Sequence, residues 1–278
     1  MKLDRYFAAN ADSGATAQPP PRHILVYGPP KSGKTAAVGK LAERFKLNYF
    51  DLEDSIKTLA NPAVLDPKYL QNIELFRIPD KQTYPMAIET MLKVTKGSPA
   101  PIRICHAHGK VSCPICTKDA AAEVTEIILD DNNPRTATEV LVIDSYSQLA
   151  ESAMNYIMKD AIAKDNFDAK AGWDEYGKQG RILERIGSTI QVSPHNIVVI
   201  SHEMMVDMED GAKKIVPIGG TSNVSKVFAK FFDDVVYCEI VNKQHRLVSS
   251  TTGKSNVLAG SRSGKDLKPG DSLLKLFD

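Results

Sequence analysis

Short runs of β-branched and apolar residues recur along this chain, separated by stretches whose apolar residues follow a helical period. The runs are HILVY (23–27), LNYFD (47–51), IELFRI (73–78), EVLVID (139–144) and NIVVIS (196–201), followed by a strand-rich end in VVYCEIV (235–241) and HRLVSST (245–251). Helical patterns lie between them, from about Gly33 to Phe45, Tyr84 to Val94, Ser147 to Ala163 and Trp173 to Val192. Strands that are apolar throughout, rather than alternating, are buried on both faces. Their alternation with helices predicts a mostly parallel sheet covered on either side. No repeat of fixed period is present. Between Lys96 and Asp119 the rhythm stops: the stretch is rich in Pro, Gly, Cys and His without amphipathic period, which predicts an insertion over 97–119. The small, polar and Pro-rich NADSGATAQPPP (10–21) predicts a flexible leader over 1–22. The remaining expectations are a core over 23–252 and a basic, apolar tail over 253–278.

The length of 278 residues suits one large domain carrying an insertion. With 42% hydrophobic and 25% charged residues, the composition excludes a collagen, a wholly disordered chain and a disulfide-stapled miniprotein. Lys and Arg number 35 against 34 Asp and Glu, so nucleic-acid binding would rely on local basic patches, because a net charge of +1 gives no long-range attraction. No apolar run has membrane-spanning length, and MKLDRYFAANADSG lacks a signal peptide's apolar stretch. A cytoplasmic protein with no membrane partner is the expectation.

The first chemical motif follows the first strand. Gly28-Pro29-Pro30-Lys31-Ser32-Gly33-Lys34-Thr35 matches G-x-x-x-x-G-K-[ST] between an apolar strand and a helix. In that context the glycines allow the backbone to wrap phosphates, and its N–H groups favour their negative charge. Lys34 is expected to reach the β- and γ-phosphates of ATP, and Thr35 to hold Mg²⁺. Asp144, ending Val140-Leu141-Val142-Ile143, is placed to orient that Mg²⁺. Glu53, in the acidic end of YFDLED, is the candidate to orient and deprotonate the attacking water.

The series GPPKSGKT, FDLE, LVIDSYSQL, IVVISHE, in that order, resembles the core ATPase of RecA-type recombinases. The resemblance runs from about His23 to Thr252 and is strongest to the small core-only proteins of bacteriophages, which include single-strand annealing proteins. It implies a RecA-like α/β fold and a Mg²⁺-dependent ATPase acting on single-stranded DNA. Glu53 would activate water, and His202, where the family usually has Gln, would sense the γ-phosphate beside Ser201 and Glu203. It also implies a homo-oligomer, with a single-strand-binding protein as a further partner. Tyr6-Phe7-Ala8-Ala9 corresponds to a segment that docks on the next subunit in related recombinases, and Leu273-Leu274-Lys275-Leu276-Phe277 is apolar enough for a partner groove, although simple end packing is the commoner role of such segments. Two DNA-facing loops are implied. The first lies around Lys170, Trp173, Tyr176, Lys178 and Arg181, where aromatic and basic residues interleave as a stacking surface requires, although Trp173, Tyr176 and Gly177 could as easily pack a helix start. The second covers Met204 to Gly220 with Lys213 and Lys214, its Gly219-Gly220 pair allowing a mobile backbone; Asp207, Glu209 and Asp210 offset the lysines, and a plain solvated hairpin is an equal reading. Arg262, Lys265 and Lys268 could reach a neighbouring subunit's phosphates.

Cys105-His106-Ala107-His108 and Cys113-Pro114-Ile115-Cys116 form C-x2-H and C-x2-C pairs across a short spacer containing Gly109. Two such pairs converge on one tetrahedral Zn²⁺, with Cys105, His108, Cys113 and Cys116 as the best set and His106 as the alternative to His108. Four protein ligands leave no open position, so the metal would be structural. Two other functions fit the same motifs: a nucleotide-switched zinc-containing adaptor with little turnover, and a small-molecule phosphotransferase.

Overall fold

The structure is a computed structural model that describes residues 19–278 apart from 81–83, 109, 120, 163, 165, 167–168, 209–210 and 252–254. The leader through residue 18, including Tyr6 to Ala9, therefore lies outside the described residues, as do Gly109, Phe167 and Asp168.

Seven strands form the continuous path of the main sheet. In chain order they are β1 (His23–Gly28), β2 (Lys46–Asp51), β3 (Ile73–Arg77), β6 (Glu139–Asp144), β7 (Ile197–Asp207), β9 (Asp234–Val241) and β10 (Gln244–Val248). The insertion supplies β4 (Ser98–Cys105) and β5 (Val124–Leu129), while β8 (Lys213–Pro217) and β11 (Gly260–Ser261) are short additions. The sheet order is β10-β9-β1-β7-β6-β2-β3, with β8 on β7 and β11 on β9. From β9 to β3 every pairing is parallel, and only β8, β10 and β11 join antiparallel. This is the α/β, mostly parallel sheet that the apolar strands predict.

The parallel strands are buried because helices cover both faces. Leu25 and Tyr27 of β1 point to one side, with Phe50, Leu141, Ile143 and Val199. That side is covered by α2 (Met86–Val94), α3 (Tyr146–Ile157) and α5 (Trp173–Gln191). Ile24 and Val26 point to the other side, into a layer with Val38, Leu41 and Phe45 from α1 (Lys34–Gly39) and the 3-10 turn after it. Two short helices, α4 (Lys159–Ile162) and α6 (Ser222–Val227), complete the set.

Three expectations change here. The strand predicted to end at Ser201 continues to Asp207 and turns back through β8, pairing Asp207 with Lys213 and Val206 with Lys214. The expected second DNA loop is thus largely a hairpin. Nor is its Gly219-Gly220 pair a mobile hinge: a Cβ at Gly219 would meet Phe228 at 2.6 Å, and one at Gly220 would meet Leu183 at 2.5 Å. These glycines are small because neighbours press on them.

The C-terminal segment is not a free tail. Leu267, Leu273 and Leu276 are buried in the α1 layer, and the Phe277 ring packs on Phe45 at 4.9 Å. Burying each such leucine contributes about 1.5–3 kcal/mol, so the segment serves as internal packing rather than as a ligand for a partner groove. Arg262 donates to the Lys230 carbonyl at 3.0 Å and Lys265 to the Leu276 carbonyl at 3.3 Å. Arg262 lies next to the start of β9, at the sheet edge opposite the phosphate loop.

The insertion is a two-stranded antiparallel unit that extends past residue 119 to the end of β5 at Leu129. Its Ile102, Ile104, Ile127 and Leu129 belong to the same apolar cluster as Phe50, Phe76, Met86 and Ile143. Rather than standing apart, it continues the main core outward.

Candidate nucleotide site and cysteine cluster

Parallel pairing brings the motif residues to one edge. Gly28 of β1 is level with His202 of β7, and Asp51 of β2 is level with Asp144 of β6. The loop between β1 and α1 needs its glycines at two points. Gly28 has φ 153°, and a Cβ there would lie 2.2 Å from the Cys238 carbonyl oxygen; Gly33 has φ 93°.

Lys34 is buried, and its Nζ donates to the carbonyls of Gly28 at 2.9 Å and Pro29 at 2.8 Å. Burial lowers its pKa, opposed by the nearby Cys238 thiol and the carboxyl groups of Asp144, Glu53 and Glu203. Lys34 Nζ also lies 3.4 Å from His202 Nδ1, and His202 Nε2 lies 3.5 Å from Glu53 Oε2. An ammonium has only hydrogens to offer, so Nδ1 accepts and Nε2 carries the hydrogen directed at Glu53. Ser145 Oγ donates to Glu53 Oε1 and accepts from the Gln148 N–H at the start of α3. Burial acts to raise the Glu53 carboxyl, but the hydrogen bonds from His202 and Ser145 and the charge of Lys34 bring it below its ordinary value.

Asp144 is 2% exposed. Its Oδ2 accepts from Thr35 Oγ1 at 3.0 Å, Tyr49 Oη at 2.5 Å and Ser55 Oγ at 2.6 Å. Burial raises its pKa, while the bonds from Ser55 and Tyr49 work against that. Beside it, Asp51 is fully buried: Oδ1 accepts from the N–H groups of Glu53 and Ser55, but Oδ2 has no partner. An orphaned carboxylate oxygen beside Asp144, which itself holds Thr35, is an acceptor-rich setting that suits a hydrated Mg²⁺.

The structure thus brings Lys34, Thr35, Glu53, Asp144 and His202 together. Asp51, Tyr49, Ser55 and Ser145 complete the cluster although the motifs did not mark them. The signal for Asp51 was available, since an Asp ends β2 as Asp144 ends β6.

The DNA-contact candidates stand elsewhere. Lys170, Trp173, Tyr176, Lys178 and Arg181 are exposed along the start of α5, with Trp173 94% and Tyr176 48% exposed. Lys178 pairs with Glu175 at 3.4 Å. Lys213 is exposed and Lys214 half-buried on β8.

In the insertion, the ligand atoms of Cys105, His108, Cys113 and Cys116 lie within 4.8 Å of one another. Sγ of Cys105 is 3.0 Å from Sγ of Cys116, and His108 Nδ1 is 3.1 Å from Cys116 Sγ and 3.7 Å from Cys113 Sγ. His106 turns away, its Nε2 2.6 Å from Thr125 Oγ1, so His108 is the imidazole of the cluster. Backbone N–H groups of Cys116 and Ile115 lower the Cys113 thiol, whereas the neighbouring Cys105 pushes Cys116 up to about 12.

Residues 21–263 match the family model AAA_24, an AAA domain. No curated protein matches the chain. Among solved structures, the flagellar accessory protein FlaH from Methanocaldococcus jannaschii is similar at 14% identity and a TM-score of 0.37, over 82% of this chain and 77% of that one. An ATPase from the type III secretion system of pathogenic bacteria is similar at 11% identity and a TM-score of 0.39, over 81% of this chain and 53% of that one. The chain thus spans about half the length of the secretion ATPase. Among the described residues no helix is long and apolar enough to cross a membrane.

Proposed function

The chain belongs to the AAA domain family, and on that premise we propose that it is a Mg²⁺-dependent ATP hydrolase of RecA-like type that binds single-stranded DNA in bacteriophage-type recombination or strand annealing. The observation that carries the reading is the convergence of Lys34, Thr35, Glu53, Asp144 and His202 at the carboxyl edge of the sheet.

Residues 28–35 would hold the phosphates of ATP, with Lys34 released from the Gly28 and Pro29 carbonyls to pair with them. Thr35 and Asp144 would hold Mg²⁺, which supplies neutralising charge to the phosphate oxygens. Glu53, kept ionised by His202 and Ser145, orients a water and takes its proton as the new P–O bond forms and the bond to ADP breaks. His202 touches both Lys34 and Glu53 and so registers loss of the terminal phosphate through either contact. Exposed Trp173 and Tyr176 offer stacking faces, with Lys170, Lys178 and Arg181 near them for phosphates; Lys213 and Lys214 add a second basic position. With a net charge of +1, tight binding would come from repeated subunits of a homo-oligomer along a strand.

The deciding measurement is steady-state ATP turnover with no addition, with single-stranded DNA and with duplex DNA, across a salt series. The reading expects stimulation by single strands that fades as salt rises. Turnover indifferent to DNA would remove the DNA role, and turnover only with an added small acceptor would favour a phosphotransferase.

The proposal includes one structural Zn²⁺ in the insertion, held by Cys105, His108, Cys113 and Cys116. Three buried thiols and an imidazole packed this closely match the donor set and the size of a tetrahedral site, whose edges are about 3.7 Å. Metal analysis tests it directly: one zinc per chain in wild type and in His106→Ala, and none in Cys113→Ser. Zinc retained by Cys113→Ser would refute the ligand set.

A further inference from the structure

The edge hairpin β9–β10 touches the phosphate loop, and none of the proposed chemistry uses it. Residues 242 and 243 form its turn, Asn242 at φ 51° and Lys243 at φ 64°. His245, on the returning strand, places Nδ1 2.8 Å from the carbonyl oxygen of Ser32. The contact is close enough that a Cβ at Gly33 would lie 2.7 Å from the same nitrogen. A carbonyl oxygen only accepts, so Nδ1 carries the hydrogen, and in the neutral ring Nε2 is left as an acceptor.

The position of this contact is informative. From β1 the sheet runs one way to β7, β6 and β2, which carry His202, Asp144 and the approach to Glu53. It runs the other way to β9 and β10. His202, Asp144 and Glu53 thus stand on one flank of the loop that carries Lys34 and Thr35, and the hairpin occupies the opposite flank. A triphosphate lying along the loop with its terminal group at Glu53 has its nucleoside end on the hairpin side. The apolar surface there fits a base. Ile240 is the cross-strand partner of His245; two residues before it Cys238 is buried in the α1 layer, and Ile240 itself emerges 51% exposed.

We infer that the β9–β10 hairpin receives the nucleoside of the bound nucleotide, His245 Nε2 accepting a hydrogen bond from a ribose hydroxyl or an exocyclic amine and Ile240 lying against the base. The inference rests on the reading of residues 28–35 as the phosphate site, and it makes His245 a specificity-determining residue rather than a group of the hydrolytic step.

Calorimetric titration with ATP, ADP and inorganic tripolyphosphate tests it. In His245→Ala and in Ile240→Ser, affinity for ATP and ADP should fall about tenfold, equivalent to about 1.4 kcal/mol, while tripolyphosphate binds as in wild type. An equal loss for tripolyphosphate would mean that the hairpin only braces the loop, and unchanged ADP affinity in both variants would also overturn the inference. Failure of the wild-type protein to bind ATP or ADP would instead defeat the phosphate-site reading on which it rests.

Discussion

The two clusters of reactive side chains in this molecule are assembled in opposite ways. At the carboxyl edge of the sheet, Lys34, Glu53, Asp144 and His202 come from strands and loops spread over most of the chain, and parallel register alone makes them neighbours. In the insertion, Cys105, His108, Cys113 and Cys116 fall within twelve residues, and the strand β4 and the turns that follow bring them together. The first cluster therefore depends on the whole core and the second on local spacing. Yet the insertion's strands share the main apolar cluster, so the second is local in its ligands and global in its support.

Substitutions should separate the two. Lys34→Ala is expected to lower ATP turnover by about 10³-fold or more while zinc content stays at one per chain; turnover assays and metal analysis of one preparation check both. Glu53→Gln should lower kcat by roughly 10²- to 10³-fold with nucleotide affinity retained. Wild-type kcat should also be insensitive to Glu53 protonation through the neutral range. Its pKa is depressed, so the active carboxylate is present above that value and is lost only as pH falls below the ordinary 4.5. A pH–rate profile of wild type against Glu53→Gln reads this directly.

Removing the metal probes the shared support. Chelation should lower Tm by several degrees, at about 2–4 °C for each kcal/mol lost in a chain of this size, and the loss should appear in nucleotide-bound protein too. If Tm holds while zinc leaves, the insertion strands stand without it. The smallest expected effect belongs to the exposed helix start. Trp173→Ala should leave Tm and basal turnover nearly unchanged and weaken single-stranded DNA binding by about 1–3 kcal/mol, measured by titration with a labelled oligonucleotide.

The same contrast explains what could be read from the sequence. The cysteine cluster was legible because metal geometry imposes a spacing on nearby residues, and only the choice between His106 and His108 required the position of Thr125. The phosphate loop was legible because it is contiguous. Tyr49 and Ser55 were not, since their contacts with Asp144 depend on which strand lies beside β6. His245 was hidden for the same reason: 213 residues separate it from Ser32. A hairpin over Met204 to Gly220 was legible as one of two readings, but the extension of β7 to Asp207 was not, because EMMVD (203–207) no longer has the apolar run of a strand buried on both faces. For Leu273 and Leu276 the sequence offered end packing and a partner groove alike, and their burial beside Phe45 and Leu41 decides for packing.

The hydroxyl of Ser145 is held at once by the Glu53 carboxylate and by the first turn of α3. In mechanical terms this is a joint. The carboxylate that would meet water and a rigid rod of twelve residues, about 18 Å long, share one pivot, and the far part of that rod packs on α2, which in turn packs on β4. Glu53 and the cysteine-bearing strand are therefore the two ends of one continuous train of contacts.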